Sequence, residues 1–323
     1  MTEGMMADAE RLESAPVVSV IMPCFNAAGH VAVSLDSLRQ QTFARWRAIV
    51  VDDGSTDDTS QVVSAIGDPR VHLIRQSNAG VSAARNRALE EVRTPFVAFL
   101  DSDDTWAPEF LQVMVDALMR APDAAVAYCG WQDVHPPPRS SMTHEPPDYE
   151  AMPDKLAALL ERCPWAIHAA VARLDAVREV GGFDTRFKVG EDYLMWMRIA
   201  ARHRVIRVGG TLAYYHHQEA GTQATTNVIR VVRQTRAVLE VFLAEQPELR
   251  ARLGPSRVRE LLYQQALRCG YDAFWKRDLQ GAHALFRDCL RGRHLRLRDA
   301  RYVVPAALPM TAFVALVRLL ERR

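Results

Sequence analysis

Short apolar runs alternate with helical spacings along the first two-thirds of the chain. Val17–Ile21 reads as a buried strand that stops at Pro23, followed by a helix carrying Val31, Leu35 and Leu38 at three- and four-residue spacing. Arg47–Val51 reads as a strand running into the acidic turn Asp52-Asp53-Gly54-Ser55-Thr56-Asp57. Ser60–Ile66 (helix), Val71–Ile74 (strand) and Val81–Val92 (helix) come next. Phe96–Leu100 is a further strand that empties into Asp101-Ser102-Asp103-Asp104, and Pro108 opens another helix at a position where proline is tolerated. Ala124–Trp131 reads as a strand and His135–Pro153, rich in Pro, Ser and Thr, as a loop. Lys155–Arg162 reads as a helix, Ala166–Ala172 as a strand, Arg173–Val180 as a helix closed by Gly181-Gly182, and Asp192–Ala201 as a helix with an acidic start. Val205–Val208 and Thr211–Tyr215 read as two final strands. Strands alternating with helices predict a mostly parallel α/β sheet with helices on both faces. Ligands of such sheets bind at the carboxyl ends of the strands, where the two acidic turns fall. Past Thr225 the texture becomes long, arginine-rich helical patterns, and Gly270–Arg291 resembles a single tetratricopeptide hairpin.

Composition narrows the class. A chain of 323 residues, 49% hydrophobic and 24% charged, is an ordinary globular one with room for roughly two domains. It is neither collagen-like, largely disordered nor polytopic. The net charge of +1 conceals a gradient: residues 1–130 sum to −8, residues 131–215 to 0 and residues 216–323 to +9. The five cysteines are widely spaced without a C-x-x-C pair, so a disulfide framework or zinc ribbon is not expected and a reducing compartment is. Residues 1–16 are polar and acidic without an apolar core, so a disordered leader is expected rather than a signal peptide, and with it a cytoplasmic location.

Asp101 and Asp103 form a D-x-D at a strand end, and residues two apart in a strand point to one side, so both carboxylates can face one hard cation such as Mg²⁺ or Mn²⁺. Alone, such a pair is explained by helix capping. It is not alone. The segments VSVIMPCFNAAGHVAVSLDSLRQQTF, VVDDGSTDDT, RQSNAGVSAARN, FLDSDD, GGFDTRF and GEDYLMW, in this order over about residues 17–217, resemble glycosyltransferase family 2.

The resemblance implies a GT-A fold over residues 17–220 followed by a helical, basic region over 221–323. It implies transfer of a sugar, with inversion, from a nucleotide-diphosphate donor, using Mn²⁺ or Mg²⁺. Pro23 and Asn26 match positions near the nucleoside, Asp53 the carboxylate that reads the base, and Arg85 a position at the diphosphate or base, with Asn78 and Gly80 shaping this loop. A carboxylate at Asp53 admits uracil, thymine or guanine, so UDP, dTDP and GDP donors all stay open; Asp52 is expected to brace the turn. Asp103 is the expected metal ligand. Asp101 is expected on the donor's hydroxyls or on the ion, and Asp104 is a weaker candidate. Glu191 and Asp192 match the acidic pair, with Asp192 as the base and one of the two supporting the other. Tyr214-Tyr215-His216-His217 departs from the usual Tyr-Arg-x-His spacing, so which histidine reaches the metal is open, with His217 preferred. Trp165 is an acceptor-side candidate, whereas Trp196 reads as core.

Between Arg301 and Arg318 lies the uncharged run YVVPAALPMTAFVALV, interrupted by Pro305 and Pro309. It is shorter than the roughly 20 apolar residues a spanning helix needs. With nine arginines and three acids from Arg287 to Arg323, the tail suits an anionic membrane surface, or else packs on the rest of the protein. No nucleic-acid module is visible. The expectation is therefore an inverting transferase acting on a saccharide or lipid-linked acceptor in cell-surface glycan synthesis. The rival is a nucleotide-sugar-binding scaffold docking through its helical end. A dinucleotide-binding dehydrogenase lacks the required G-x-G-x-x-G after the first strand.

Overall fold

The computed structural model describes residues 15–135, 141–217 and 227–321. Most of the expected leader and the expected division near residue 220 fall outside these. Two compact units make up the chain, Met1–Thr222 and Gln223–Arg323.

The first unit is built on one sheet. Strands β1 (Val18–Cys24), β2 (Trp46–Asp53), β3 (Val71–Gln76) and β4 (Phe96–Phe99) alternate with helices α1 (Val31–Arg39), α2 (Thr59–Ala65) and α3 (Val81–Glu91). After β5 (Thr105–Trp106) come α4 (Phe110–Arg120), β6 (Ala124–Val134), β7 (Met142–His144), α5 (Lys155–Leu159), β8 (Ala170–Arg173), α6 (Leu174–Glu179), α7 (Glu191–Arg202) and β9 (Arg204–His216). The order across the sheet is β3-β2-β1-β4-β8-β6-β9-β5, with β7 added on β6. The half made of β3, β2, β1 and β4 is parallel, as the alternation predicts. Beyond it the sheet is mixed: β8 runs antiparallel to both β4 and β6, β6 and β9 are parallel, and β5 is antiparallel to β9.

The nearly unbroken apolar runs reflect burial on both faces. Every residue of β1 is buried. On one face Val18, Val20 and Met22 meet Leu35 and Leu38 of α1 and Phe110, Met114 and Leu118 of α4. On the other, Phe99 makes edge contacts with Phe183 and with Trp196 of α7. At about 1.5–3 kcal/mol per buried large side chain, such contacts dominate the stability of the sheet.

Two expectations change. β1 continues through Pro23 to Cys24. Pairing with β4 ends at Ile21, so the missing N–H of Pro23 falls beyond the last rung on that side and costs no ladder bond. The two final strands are one bulged strand, β9, because the Gly209-Gly210 pair stays within it (φ +95° at Gly210) and the register with β6 shifts there.

The second unit is helical: α8 (Val228–Glu245), α9 (Pro247–Trp275), α10 (Leu279–Arg291), α11 (Ala300–Val303) and α12 (Met310–Glu321). α9 is broken at Gly254 (φ 72°), just before Pro255. Gly270 lets α9 approach α10, since a Cβ there would lie 2.7 Å from the Phe286 ring. The uncharged run 302–317 is divided among α11, a 3₁₀ turn at Val304–Ala307 and α12, and its Val303, Ala306, Phe313 and Val317 enter this unit's own core. Among the described residues no helix is long and apolar enough to cross a membrane.

Candidate functional site

Three chain segments converge at the carboxyl ends of β2 and β4. The first is the turn after β2. Asp52 accepts a hydrogen bond from the Ser55 amide at 2.9 Å and another from the Ser60 hydroxyl. Burial opposes its ionisation, but these donors prevail and hold its carboxyl below the usual range. It braces the turn, as expected. Asn26 (φ +51°) ties β1 to the same turn: its amide donates to Ser55 Oγ at 2.9 Å, and its Oδ1 accepts from the Thr56 amide at 2.8 Å. Pro23 is buried in β1, opposite Val51.

Asp53 organises the loop before α3. Its Oδ1 accepts from Gln76 Nε2 (2.7 Å) and the Ala79 amide (2.9 Å), and its Oδ2 from the Gly80 amide (2.8 Å). Asn78 Nδ2 donates to the Asp53 carbonyl at 2.9 Å. Gly54 (φ +77°) permits this closure, because a Cβ there would sit 2.7 Å from the Asn78 nitrogen. A carboxylate oxygen can accept two hydrogen bonds, so Oδ2, with one loop donor, keeps capacity for a ligand N–H.

The second segment is α3 with the D-x-D turn. Arg85, only 3% exposed, directs one terminal nitrogen at Asp101 Oδ1 (2.6 Å) and the other at Glu191 Oε1 (2.7 Å). Burial works against the guanidinium charge, but the two carboxylates outweigh it. The fork expected on a diphosphate or base is therefore taken up by protein carboxylates. Asp101 and Asp103 are both partly exposed. Asp104 is fully buried. Burial, then the charges of Asp103 and Asp101, push its carboxyl well up. Its Oδ1 accepts from the His216 amide at 3.0 Å, and its Oδ2 lies 3.1 Å from Nδ1 of His168, whose pKa burial pulls down to about 4. Asp101 and Asp103 present partly exposed carboxylate oxygens at the end of β4, the donor type that a hard divalent cation takes. The residues present fit Mn²⁺ or Mg²⁺.

The third segment is the start of α7. Gly190 (φ +83°) caps the helix, and Glu191 and Asp192 occupy its first turn. Glu191 is buried and locked by Arg85. Asp192 is partly exposed, and its Oδ1 accepts from the Tyr193 amide at 2.8 Å. Burial and the adjacent Glu191 raise its pKa to about 7, against the pull of Arg85. Asn86, one residue past Arg85, bonds both the amide and the carbonyl of Phe183 (2.9 and 2.8 Å), holding the Gly181-Gly182-Phe183 loop beside α3. The sequence reading missed Asn86; its place next to Arg85 in AARN was the available signal.

Two expected residues lie elsewhere. Trp165 is fully buried, stacked on Tyr128 (4.2 Å) and near Trp196 (5.7 Å), so its face is closed to an acceptor. Position before a strand could not reveal this, because burial depends on what packs from α7. His217 turns to the end of β6, where its Nε2 lies 3.7 Å from Asp133 and its ring stacks on His135 at 4.0 Å. Alternation along β9 sends His216 to the opposite side, and it is His216 that meets the acidic turn, bonding Thr105 Oγ1 at 2.8 Å.

The family model for glycosyl transferase family 2 matches residues 19–181. The Sinorhizobium fredii protein y4gI is 31% identical over 224 residues, covering 67% of this chain, and this chain spans only about a quarter (24%) of its length. The Escherichia coli protein WfgD, a UDP-Glc:alpha-D-GlcNAc-diphosphoundecaprenol beta-1,3-glucosyltransferase, is 27% identical over 230 residues, covering 70% of this chain and 87% of its own. Among solved structures, the mannosyltransferase PcManGT of Pyrobaculum calidifontis, in complex with GDP-Man and Mn²⁺, superposes with a TM-score of 0.59 at 21% identity, covering 96% of this chain and 81% of that one. Matched over half its length by the family model, the chain belongs to glycosyl transferase family 2.

Proposed function

We propose that this protein is an inverting, metal-dependent glycosyltransferase. It moves a sugar from a nucleoside-diphosphate donor to a hydroxyl of a saccharide or lipid-linked acceptor in cell-surface glycan synthesis. The observation that carries the reading is the convergence of Asp101, Arg85, Glu191 and Asp192 at the sheet's carboxyl edge. The lipid-linked acceptor is supported by the likeness to WfgD and by the basic helical unit, which we assign to the cytoplasmic face of an anionic membrane.

The nucleoside lies along the Asp53 loop, flanked by Pro23, Asn26 and Asn78, with a base imide N–H donating to Asp53 Oδ2. This accommodates UDP, dTDP or GDP donors. Asp103, with Asp101, would hold the cation, which when bound would supply Lewis-acid stabilisation of charge on the leaving diphosphate. Asp192 is the base. Its Oδ2, not engaged by Tyr193, takes the acceptor proton as the acceptor oxygen bonds the anomeric carbon and the bond to the diphosphate oxygen breaks on the opposite face. A pKa near 7 suits a base working near neutrality. Glu191 is support: tied to Arg85, it holds up the affinity of Asp192 for a proton.

Nucleoside diphosphate release and product formation with UDP-, GDP- and dTDP-sugars in Mn²⁺ test this. Asp192→Asn and Asp103→Ala should each lower the rate by about 10²–10⁴-fold. Full activity in either variant sinks its assigned role.

A further inference from the structure

A second cluster of ligating side chains lies at the far end of β6. Asp133 and His135 are two residues apart at the end of that strand and so project to one side. β9 runs parallel to β6 with Asp133 opposite Tyr215 and Val134 opposite His216, and the His217 amide continues the ladder to the Val134 carbonyl at 2.9 Å. That register sets His217 beside His135, and the two imidazoles stack at 4.0 Å with 16° between their planes. One ligand atom from each of Asp133, His135 and His217 lies within 4.8 Å of the others. His135 Nδ1 and His217 Nε2 are both shielded from solvent without a hydrogen-bond partner. Two imidazole nitrogens left this way next to a carboxylate are an expensive arrangement unless something binds them.

We infer that Asp133, His135 and His217 form a site for a late first-row divalent cation, Zn²⁺ above all, separate from the all-oxygen Asp101 and Asp103 pair. Two imidazoles and one carboxylate favour this class over Mg²⁺ or Mn²⁺. With bonds of about 2.0–2.1 Å, tetrahedral Zn²⁺ spaces its ligands about 3.3 Å apart, and the two rings turn out of their stack for both nitrogens to face one ion. The carboxylate is already oriented: His144 of β7 contacts Asp133 Oδ2 at 2.8 Å, on the side away from His217, and a carboxylate–histidine link of this kind commonly backs a metal ligand. All three residues are partly exposed, so the cluster lies near the surface. The ion would clamp the ends of β6 and β9 together.

The full-length chain, stripped with chelator and dialysed, is titrated with Zn²⁺ by calorimetry, and with Co²⁺ for the visible absorption of tetrahedral cobalt. One tight Zn²⁺ equivalent is expected, along with a higher melting temperature in Zn²⁺. The His135→Ala/His217→Ala variant should bind at least about 30-fold more weakly and lose the thermal shift, and His144→Ala should weaken binding by about 10–100-fold. His135→Gln serves should the double variant fold poorly. Asp103→Ala should keep the tight equivalent. Unchanged Zn²⁺ binding in the double variant, or its loss in Asp103→Ala, overturns the site. Neither result touches transfer activity in Mn²⁺, so this inference and the proposed activity fail separately.

Discussion

Arg85 is a buried cation with two carboxylates on its terminal nitrogens and no hydrogen bond on Nε. Removing one partner of a buried ion pair leaves uncompensated charge in a poorly solvated place, at a cost of about 3–5 kcal/mol. Arg85→Ala should therefore destabilise the protein by that amount, read as a lower denaturation midpoint in urea; a change below about 1 kcal/mol would refute the buried-pair account. Asp192 carries a pH prediction. Its folded pKa, about 7, stands above the ordinary value of 3.8. Between about pH 4 and 7 the folded protein retains a proton that the unfolded chain has released, so this residue's contribution to stability falls as pH rises through that window. Catalysis runs the other way, because a base must be ionised: kcat/KM should climb as pH rises through about 7. Asp192→Asn should flatten the stability trend, and a rate profile already level from pH 5 upward would contradict the assigned base.

The loops between elements hold the site together, and their backbone geometry is demanding. Gly54 needs φ +77°, and a Cβ there would meet the backbone nitrogen of Asn78 at 2.7 Å. Neither strain can be relieved by turning a side chain. Gly54→Ala should cost about 1–3 kcal/mol and displace the 78–80 loop from Asp53. Its kinetic signature is a raised donor KM with a much smaller change in kcat; an unchanged KM would detach this loop from donor binding. The elements themselves were largely legible. β1, β2, β4 and α4 have long apolar runs or periodicities that burial on both faces, or on one stripe, demands. In sequence β9 reads as two strands on either side of Gly209-Gly210; pairing with β6 makes it one.

For the whole molecule, charge and exposed apolar surface coincide in the second unit. Leu297 is 97% exposed between Arg296 and Arg298, and Trp275 and Leu319 are more than half exposed. Anionic vesicles should therefore co-sediment the full-length chain better than a fragment ending at residue 222, with the difference shrinking in high salt. Equal sedimentation of the two would remove the membrane from the proposal.

The sequence by itself determined the family, the parallel half of the sheet and the acidic residues of the candidate site. Those follow from local rules: strand periodicity, turn chemistry, and motifs short enough to be read in place. It also held Asp52 as a turn brace, since that role lies within eight residues. Only the tertiary structure decided which carboxylate is locked and which is partly open. Glu191 and Asp192 are neighbours in the chain, and Arg85, 106 residues from Glu191, separates their environments. Burial of Trp165 and the turn of His217 toward Asp133 likewise depend on α7 and β6 arriving from distant parts of the chain. Solvation and charge pairing are properties of a place in the fold, and no local pattern encodes them.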